Sequence, residues 1–151
     1  MATNSVMFTG ISELRTVANG TIEHAALAAE DGVITWVGEA TQAPDAEQVV
    51  DLGGRAVLPG WVDSHTHMVF DGDRSAEFEA RMAGEAYQAG GIHATMEATR
   101  QASEERLRSL VSDRLRACYA GGTTTVETKT GYGLTIDTEV DAARILSLIH
   151  I

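Results

Sequence analysis

At 151 residues with 44% apolar and 22% charged side chains, the chain has enough apolar material for a packed core, and its composition excludes general disorder. Its 22 acidic against 11 basic residues leave a formal charge of -11 and no basic patch to neutralise phosphates, which argues against a nucleic-acid partner. No run approaches ~18 consecutive apolar residues, and Met1 to Phe8 has neither a basic nor a long apolar region, so no membrane span or secretory signal is expected and the cytoplasm is the expected compartment.

Residues 1–58 read as short strands separated by turns, the amino-terminal part of a small β domain. Ala25 to Ala29 and Val33 to Val37 flank Asp31-Gly32, a hairpin signal because Asp-Gly suits a turn with positive φ. Gln48 to Asp51 and Arg55 to Leu58 flank Gly53-Gly54 and suggest a second hairpin, after which Pro59-Gly60 punctuates the chain. Trp61 to Ser64 reads as a short buried strand running into His65-Thr66-His67, and Asp71 to Arg74 as a loop. Gly84, Gly90 and Gly91 mark the next stretch as irregular.

A helix is expected from Ser103, a natural N-cap followed by Glu104 and Glu105 at the positive end, with Leu107, Leu110, Val111, Leu115 and Cys118 as its apolar stripe and Gly121-Gly122 as its stop. Cys118 is the single cysteine, so no internal disulfide can form, and its place on the stripe reads as packing rather than nucleophilic chemistry. Thr123 to Glu127 is β-branched and strand-like, and Gly131-Tyr132-Gly133 is a loop. Thr138 with Asp141 suggests a capping box opening a second helix through Val140, Ala143, Leu146 and Ile149. Strand, loop, helix, repeated, is the βα unit, so residues 59–151 read as the first two units of a (β/α)8 barrel of the TIM type. A closed barrel needs roughly 250 residues, and the last helix stops without a capping signal. The expected fold class is therefore α/β, part of a small β-sandwich domain followed by an incomplete barrel, with truncation expected at the carboxyl end.

His65 and His67 stand two apart, so on a continuing strand both imidazoles point to one face and can meet one metal ion. A catalytic metal site takes three or more protein ligands plus an open position, so further ligands are expected outside these residues. Asp63 shares the face of His65 and suits either an acceptor for an imidazole or a local turn. Asp71 and Asp73 read as solvated loop residues or turn formers. Arg74 has the planar fork that matches a carboxylate, as a substrate clamp or in a surface salt bridge. Tyr132, between two glycines, is placed to contact ligand or to pack its loop, and Glu127 and Lys129 alternate on one strand and can pair. His24, His93 and His150 have no partner at ligand spacing.

Val57-Leu-Pro-Gly-Trp-Val-Asp-Ser-His-Thr-His67 resembles the first-strand signature of the amidohydrolase superfamily. Met68-Val-Phe-Asp-Gly-Asp-Arg-Ser75, Gly90-Gly-Ile-His-Ala-Thr-Met-Glu-Ala-Thr-Arg-Gln-Ala-Ser103 and Gly122-Thr-Thr-Thr-Val-Glu-Thr-Lys-Thr-Gly-Tyr-Gly-Leu134 are similar to later segments of the imidazolonepropionases, and the likeness runs from about residue 10 to 146. The resemblance implies hydrolysis of the cyclic amide of 4-imidazolone-5-propanoate to N-formimidoyl-L-glutamate in histidine degradation, by a metal-activated water on one zinc or iron ion. It implies His65 and His67 as metal ligands and Arg74 and Tyr132 as substrate contacts, with the acid/base Glu outside these residues. A homodimeric full-length parent is the expected assembly. The rival readings are another cyclic amidohydrolase of the hydantoinase type, which has no specific need for Arg74 and Tyr132, and a truncated product without function.

Overall fold

The computed structural model describes residues 5–84 and 91–147, so Gly90, Ile149 and His150 lie outside the described residues. The chain divides into two compact units, Met1–Pro59 and Gly60–Ile151.

The first unit is a four-stranded sheet built from β1 (Ser5–Thr16), β2 (Gly20–Glu30), β3 (Val33–Glu39) and β4 (Gln48–Val57), in the order β3-β2-β1-β4. The Asp31-Gly32 hairpin forms as the sequence predicts: Glu30 pairs with Val33, and both turn residues take positive φ, 50° and 81°. The Gly53-Gly54 hairpin does not form. Residues 48–57 make one continuous strand parallel to β1, and the two glycines, at φ 61° and 80°, form a bulge. Between the pairs Thr9 with Asp51 and Ile11 with Arg55, β4 spends three residues where β1 spends one. The Asp51 side chain accepts the Gly53 N–H at 2.8 Å, an Asx turn that stabilises the excursion within the strand.

A second bulge, in β1, decides which residues reach the core. Phe8 pairs with Leu27 and Ile11 with Ala25, so the extra residue beside Gly10 brings residues three apart onto one face, where strict alternation would separate them. Ile11, Leu14 and Ala25 are buried on that face with Phe8, Leu27 and Val37 against them. Met7, Ala26 and Ala28 form a second cluster with Trp36, which is the cross-strand partner of Ala28.

The second unit holds β5 (Trp61–Thr66), α1 (Ser75–Met82), α2 (Gly91–Gln101), α3 (Glu104–Ala120), β6 (Thr123–Thr128) and α4 (Ile136–Ser147), with β5 and β6 paired in parallel. Its core is Met68, Val69, Leu107, Val111 and Ile145, against which Leu115, Cys118, Val126, Ala142 and Leu146 pack. Ser103 caps α3 by accepting the Arg106 N–H, and Gly121 ends it, both as the sequence predicts.

Three expectations for this unit change. The stretch read as irregular contains α1 and α2. The buried face of α2 consists of Thr95 and Thr99 rather than aliphatic residues; each hydroxyl bonds back to the carbonyl four residues earlier, so the face hides its polarity from an apolar-periodicity reading. Helix α4 starts earlier than the Thr138-Asp141 box would place it. Thr135 and Thr138 instead cap reciprocally, each hydroxyl accepting the other's N–H at 3.3 and 3.2 Å. Ala142, Ile145 and Leu146 then face the core, while Val140 is exposed. Finally, β5 is not buried: Trp61 and Val62 are 58% and 67% exposed. A parallel strand is hidden when helices cover both faces of its sheet, and β5 and β6 form a two-stranded sheet among the described residues. The architecture is mixed α/β with a partial, open barrel-like sheet. No helix of the described residues is long and apolar enough to cross a membrane.

Candidate functional site

The candidate residues gather at the carboxyl ends of β5 and β6. β5 ends at Thr66, whose carbonyl accepts the Lys129 N–H at 2.8 Å, so the ladder holds the two strands together up to the point where His67 leaves. His65 and His67 come together there with ring centroids 5.6 Å apart, edge to face at 69°. The other side of His67 meets Tyr132, again at 5.6 Å, and Tyr132 in turn meets Phe70 at 5.8 Å. Arg114 of α3 closes the row, its guanidinium carbon 3.5 Å from the Phe70 ring centroid. Five side chains from three separated stretches of sequence thus form one continuous row.

The loop that carries His67 is pinned along its length. The Met68 N–H donates to the Thr128 hydroxyl at 3.2 Å, and Arg114 Nη1 donates to the carbonyls of Met68 and Phe70, both at 2.7 Å. The Asp71 N–H donates to Thr99 of α2 at 3.0 Å, and the Asp71 carboxylate pairs with Arg106 of α3. The Arg106 hydrogen bond, followed by that of the Gly72 N–H, holds the Asp71 carboxyl below its usual range. Burial pushes the Arg114 guanidinium pKa down, although Arg remains charged in any protein environment.

The loop that carries Tyr132 is held by an anion instead. Glu139 Oε1 accepts the N–H groups of Gly133 and Leu134 at 2.8 and 3.0 Å. Burial works to raise the Glu139 carboxyl, but the donors around it, Thr130 and the N–H groups of Leu134, Gly133 and Gly131, outweigh it and hold the pKa below the usual carboxylate range, although Oε2 is buried with no hydrogen-bond partner among the described residues. The glycines on either side of Tyr132 serve close approach. Gly133 is buried, and a Cβ there would lie 2.4 Å from the Thr138 hydroxyl. Gly131, at φ 149°, passes the edge of His67, 3.4 Å from where its Cβ would be.

His67 Nδ1 is buried and has no hydrogen-bond partner among the described residues. A buried unpaired nitrogen is costly unless something else takes its lone pair or proton, so the pair of imidazoles fits two positions of a metal centre. Among the described residues no group of three or more His, Cys, Asp or Glu could hold a metal ion, so the remaining positions of such a centre are not found there. Glu127 is not a third ligand: Lys129 pairs with it and holds its carboxyl low, the imidazoles of His65 and His67 adding in the same direction.

The remaining candidates separate clearly. The Asp63 carboxylate accepts the backbone N–H of His65 at 3.1 Å, a local turn rather than a brace for an imidazole. Asp73 accepts the N–H and hydroxyl of Ser75, another turn. Arg74 forks onto Glu77, Nε to Oε2 and Nη2 to Oε1, both at 2.9 Å. The pair lies over Gly91, where any Cβ would collide with it. His24 and His93 are exposed. Sequence reasoning missed Arg114 and Glu139. Arg114 had a visible signal, because it falls on the apolar stripe between Val111 and Cys118, where a cation needs a buried acceptor. Glu139 looked like an ordinary acidic residue of a first helical turn.

No protein-family model matches the chain. It is 59% identical over 145 residues to the imidazolonepropionase of Micrococcus luteus, which covers 95% of this chain and 36% of that protein. It is 51% identical over 148 residues to the imidazolonepropionase of Paenarthrobacter aurescens, again covering 95% of this chain and 36% of that protein. The chain therefore spans about 36% of the length of the curated relatives it matches, in their amino-terminal part. Among solved structures, an adenosine deaminase from Xanthomonas campestris with bound zinc is similar at TM-score 0.61 and 16% identity, covering 95% of this chain and 31% of that one. An atrazine chlorohydrolase from Arthrobacter aurescens complexed with zinc is similar at TM-score 0.56 and 18% identity, covering 94% and 34%. At such identities the structural likeness concerns the fold alone.

Proposed function

We propose that this chain, which belongs by sequence with the imidazolonepropionases over the residues matched, forms the amino-terminal part of an enzyme that opens the ring of 4-imidazolone-5-propanoate to N-formimidoyl-L-glutamate. In that reading residues 1–58 are part of a β-sandwich domain and residues 59–151 supply the first two βα units of a metal-dependent hydrolase barrel. The reaction adds water across the ring amide: the carbonyl carbon gains the hydroxyl, the ring C–N bond breaks, and the departing nitrogen takes a proton. The observation that carries the site is the buried, unpartnered Nδ1 of His67, held between His65 and Tyr132.

His65 and His67 would hold one zinc or iron ion, completed by ligands outside these residues. When bound, the ion lowers the pKa of a water and polarises the ring carbonyl. The chain's own residues do the rest of what is assigned here. The pinned 67–71 loop fixes the His67 ring before substrate arrives, so little reorganisation is needed at reaction. Tyr132 forms a wall beside His67 and offers a hydroxyl to the substrate. Arg74 grips the propionate carboxylate with the same planar fork that it presents to Glu77. The acid/base Glu lies outside these residues. The full-length protein is read as a cytoplasmic homodimer that takes a small-molecule substrate, with no nucleic-acid or membrane partner.

The test is turnover by the full-length, metal-loaded protein. The absorbance of the imidazolone ring falls on mixing with enzyme, and hydantoin is left intact. Unchanged imidazolone absorbance alongside hydantoin opening would overturn the reading in favour of a hydantoinase-like enzyme.

A further inference from the structure

Glu139 contributes nothing to the chemistry described so far, yet it holds a half-buried anion against the loop on which Tyr132 sits. Its Oε1 takes two successive backbone N–H groups, those of Gly133 and Leu134, immediately after Tyr132. The same loop is laid onto the first turn of α4 at Gly133, where no Cβ fits beside Thr138, and passes the edge of His67 at Gly131. Between these two points the Tyr132 ring has little freedom, and it fills the space between His67 and Phe70. We infer that Glu139 is a positioning residue: by gripping the 133–134 amides it sets Tyr132 against His67 and thereby controls substrate binding without touching the substrate.

The inference rests on the reading of Tyr132 as a substrate contact. Charge is part of the device. An ionised carboxylate only accepts, and Oε1 gathers two successive N–H groups that otherwise point into one small volume and repel one another, while Oε2 is buried with no hydrogen-bond partner among the described residues. It also sits in the first turns of α4, where the helix dipole favours an anion. An amide of the same shape is an uncharged and weaker acceptor at Oε1 and puts an NH2 group in the buried place of Oε2. Glu139→Gln should therefore loosen the loop rather than unfold the unit.

The experiment compares Glu139→Gln, Tyr132→Ala and the double variant in the full-length, metal-loaded protein. The expected result is a KM for imidazolonepropionate raised about tenfold in Glu139→Gln while kcat moves far less, with bound metal unchanged by elemental analysis. The double variant should have the KM of Tyr132→Ala alone, because both changes act through one ring. A second measurement needs neither turnover nor metal: the near-ultraviolet circular dichroism contributed by Tyr132, read as the difference between parent and Tyr132→Ala, should largely vanish in the Glu139→Gln background. If Glu139→Gln folds poorly, Glu139→Asp keeps the charge at a shorter reach and should give an intermediate KM. A raised KM in Tyr132→Ala with a parental KM and intact tyrosine dichroism in Glu139→Gln overturns the inference and leaves the proposed function standing. A parental KM in Tyr132→Ala overturns the substrate role of Tyr132 and the inference with it.

Discussion

His67 gains its character from its surroundings more than from its type. An imidazole just beyond a strand end is commonplace, but one with a buried, unclaimed Nδ1 between His65 and Tyr132 is set up for a ligand. Changing His65 or His67 to Ala in the full-length protein should lower bound metal and activity together, since each removes a ligating nitrogen. Elemental analysis checks this, and parental metal content in both variants would contradict the assignment. Arg74 is a different case, because its fork is matched to the Glu77 carboxylate in this structure. Arg74→Met keeps the unbranched stem and deletes the charge, so catalytic efficiency should fall on the order of 2 kcal/mol in transition-state terms with metal content unchanged. Efficiency within about twofold of the parent would return Arg74 to a surface salt bridge with Glu77.

At the scale of elements, the site depends on how helices restrain loops. Arg114 of α3 offers its donors to the carbonyls of Met68 and Phe70, and Asp71 is tied to α2 through Thr99 and to α3 through Arg106. Arg114→Met would leave two partly buried carbonyls without these donors and uncover the Phe70 ring, a cost of about 1–3 kcal/mol. Equilibrium urea unfolding of the full-length protein should show it as a lower midpoint, with metal affinity weakened because the loop carrying His67 is freed; an unchanged midpoint and affinity would count against the clamp. Much of this level was legible in advance. The Ser103 cap, the Gly121 stop and the Asp31-Gly32 turn follow from local chemistry acting within a few residues, and all three form as read. Helix α2 was not legible, because its buried face is Thr95 and Thr99, whose hydroxyls are satisfied only once the helix exists.

Over the whole chain, apolar surface remains open in both units. Val33, Ile34 and Val49 of the first are 64%, 61% and 65% exposed, and Trp61 and Val62 of the second are 58% and 67% exposed. Such side chains on strands with unpaired edges favour association with other chains. The 151-residue chain alone should therefore self-associate and show no turnover, since two imidazoles are too few ligands for a catalytic metal site. Size-exclusion chromatography with an imidazolone absorbance assay tests this. A monomer that melts cooperatively and consumes imidazolonepropionate would refute both parts.

The sequence by itself determined what depends on nearest neighbours and residue chemistry: the βα alternation, the Ser103 cap and Gly121 stop of α3, the tight hairpin, and the pairing of two imidazoles at a spacing of two. It also placed Tyr132 between two glycines without saying why they were needed. Tertiary structure alone decided the rest. Gly53-Gly54 became a bulge because β1 was available as a parallel partner on that edge, which no local pattern announces. The bulge beside Gly10 chose which of two alternating sets in β1 faces the core. Arg114, Glu139, Tyr132 and His67 come from two helices and two loops, and folding brings a cation to the carbonyls of one loop and an anion to the amides of the other. The Arg114 contacts join residues 46 and 44 positions apart, so their physical cause lies in packing between elements, whereas Glu139 reaches amides 6 and 5 positions away, across the turn into α4.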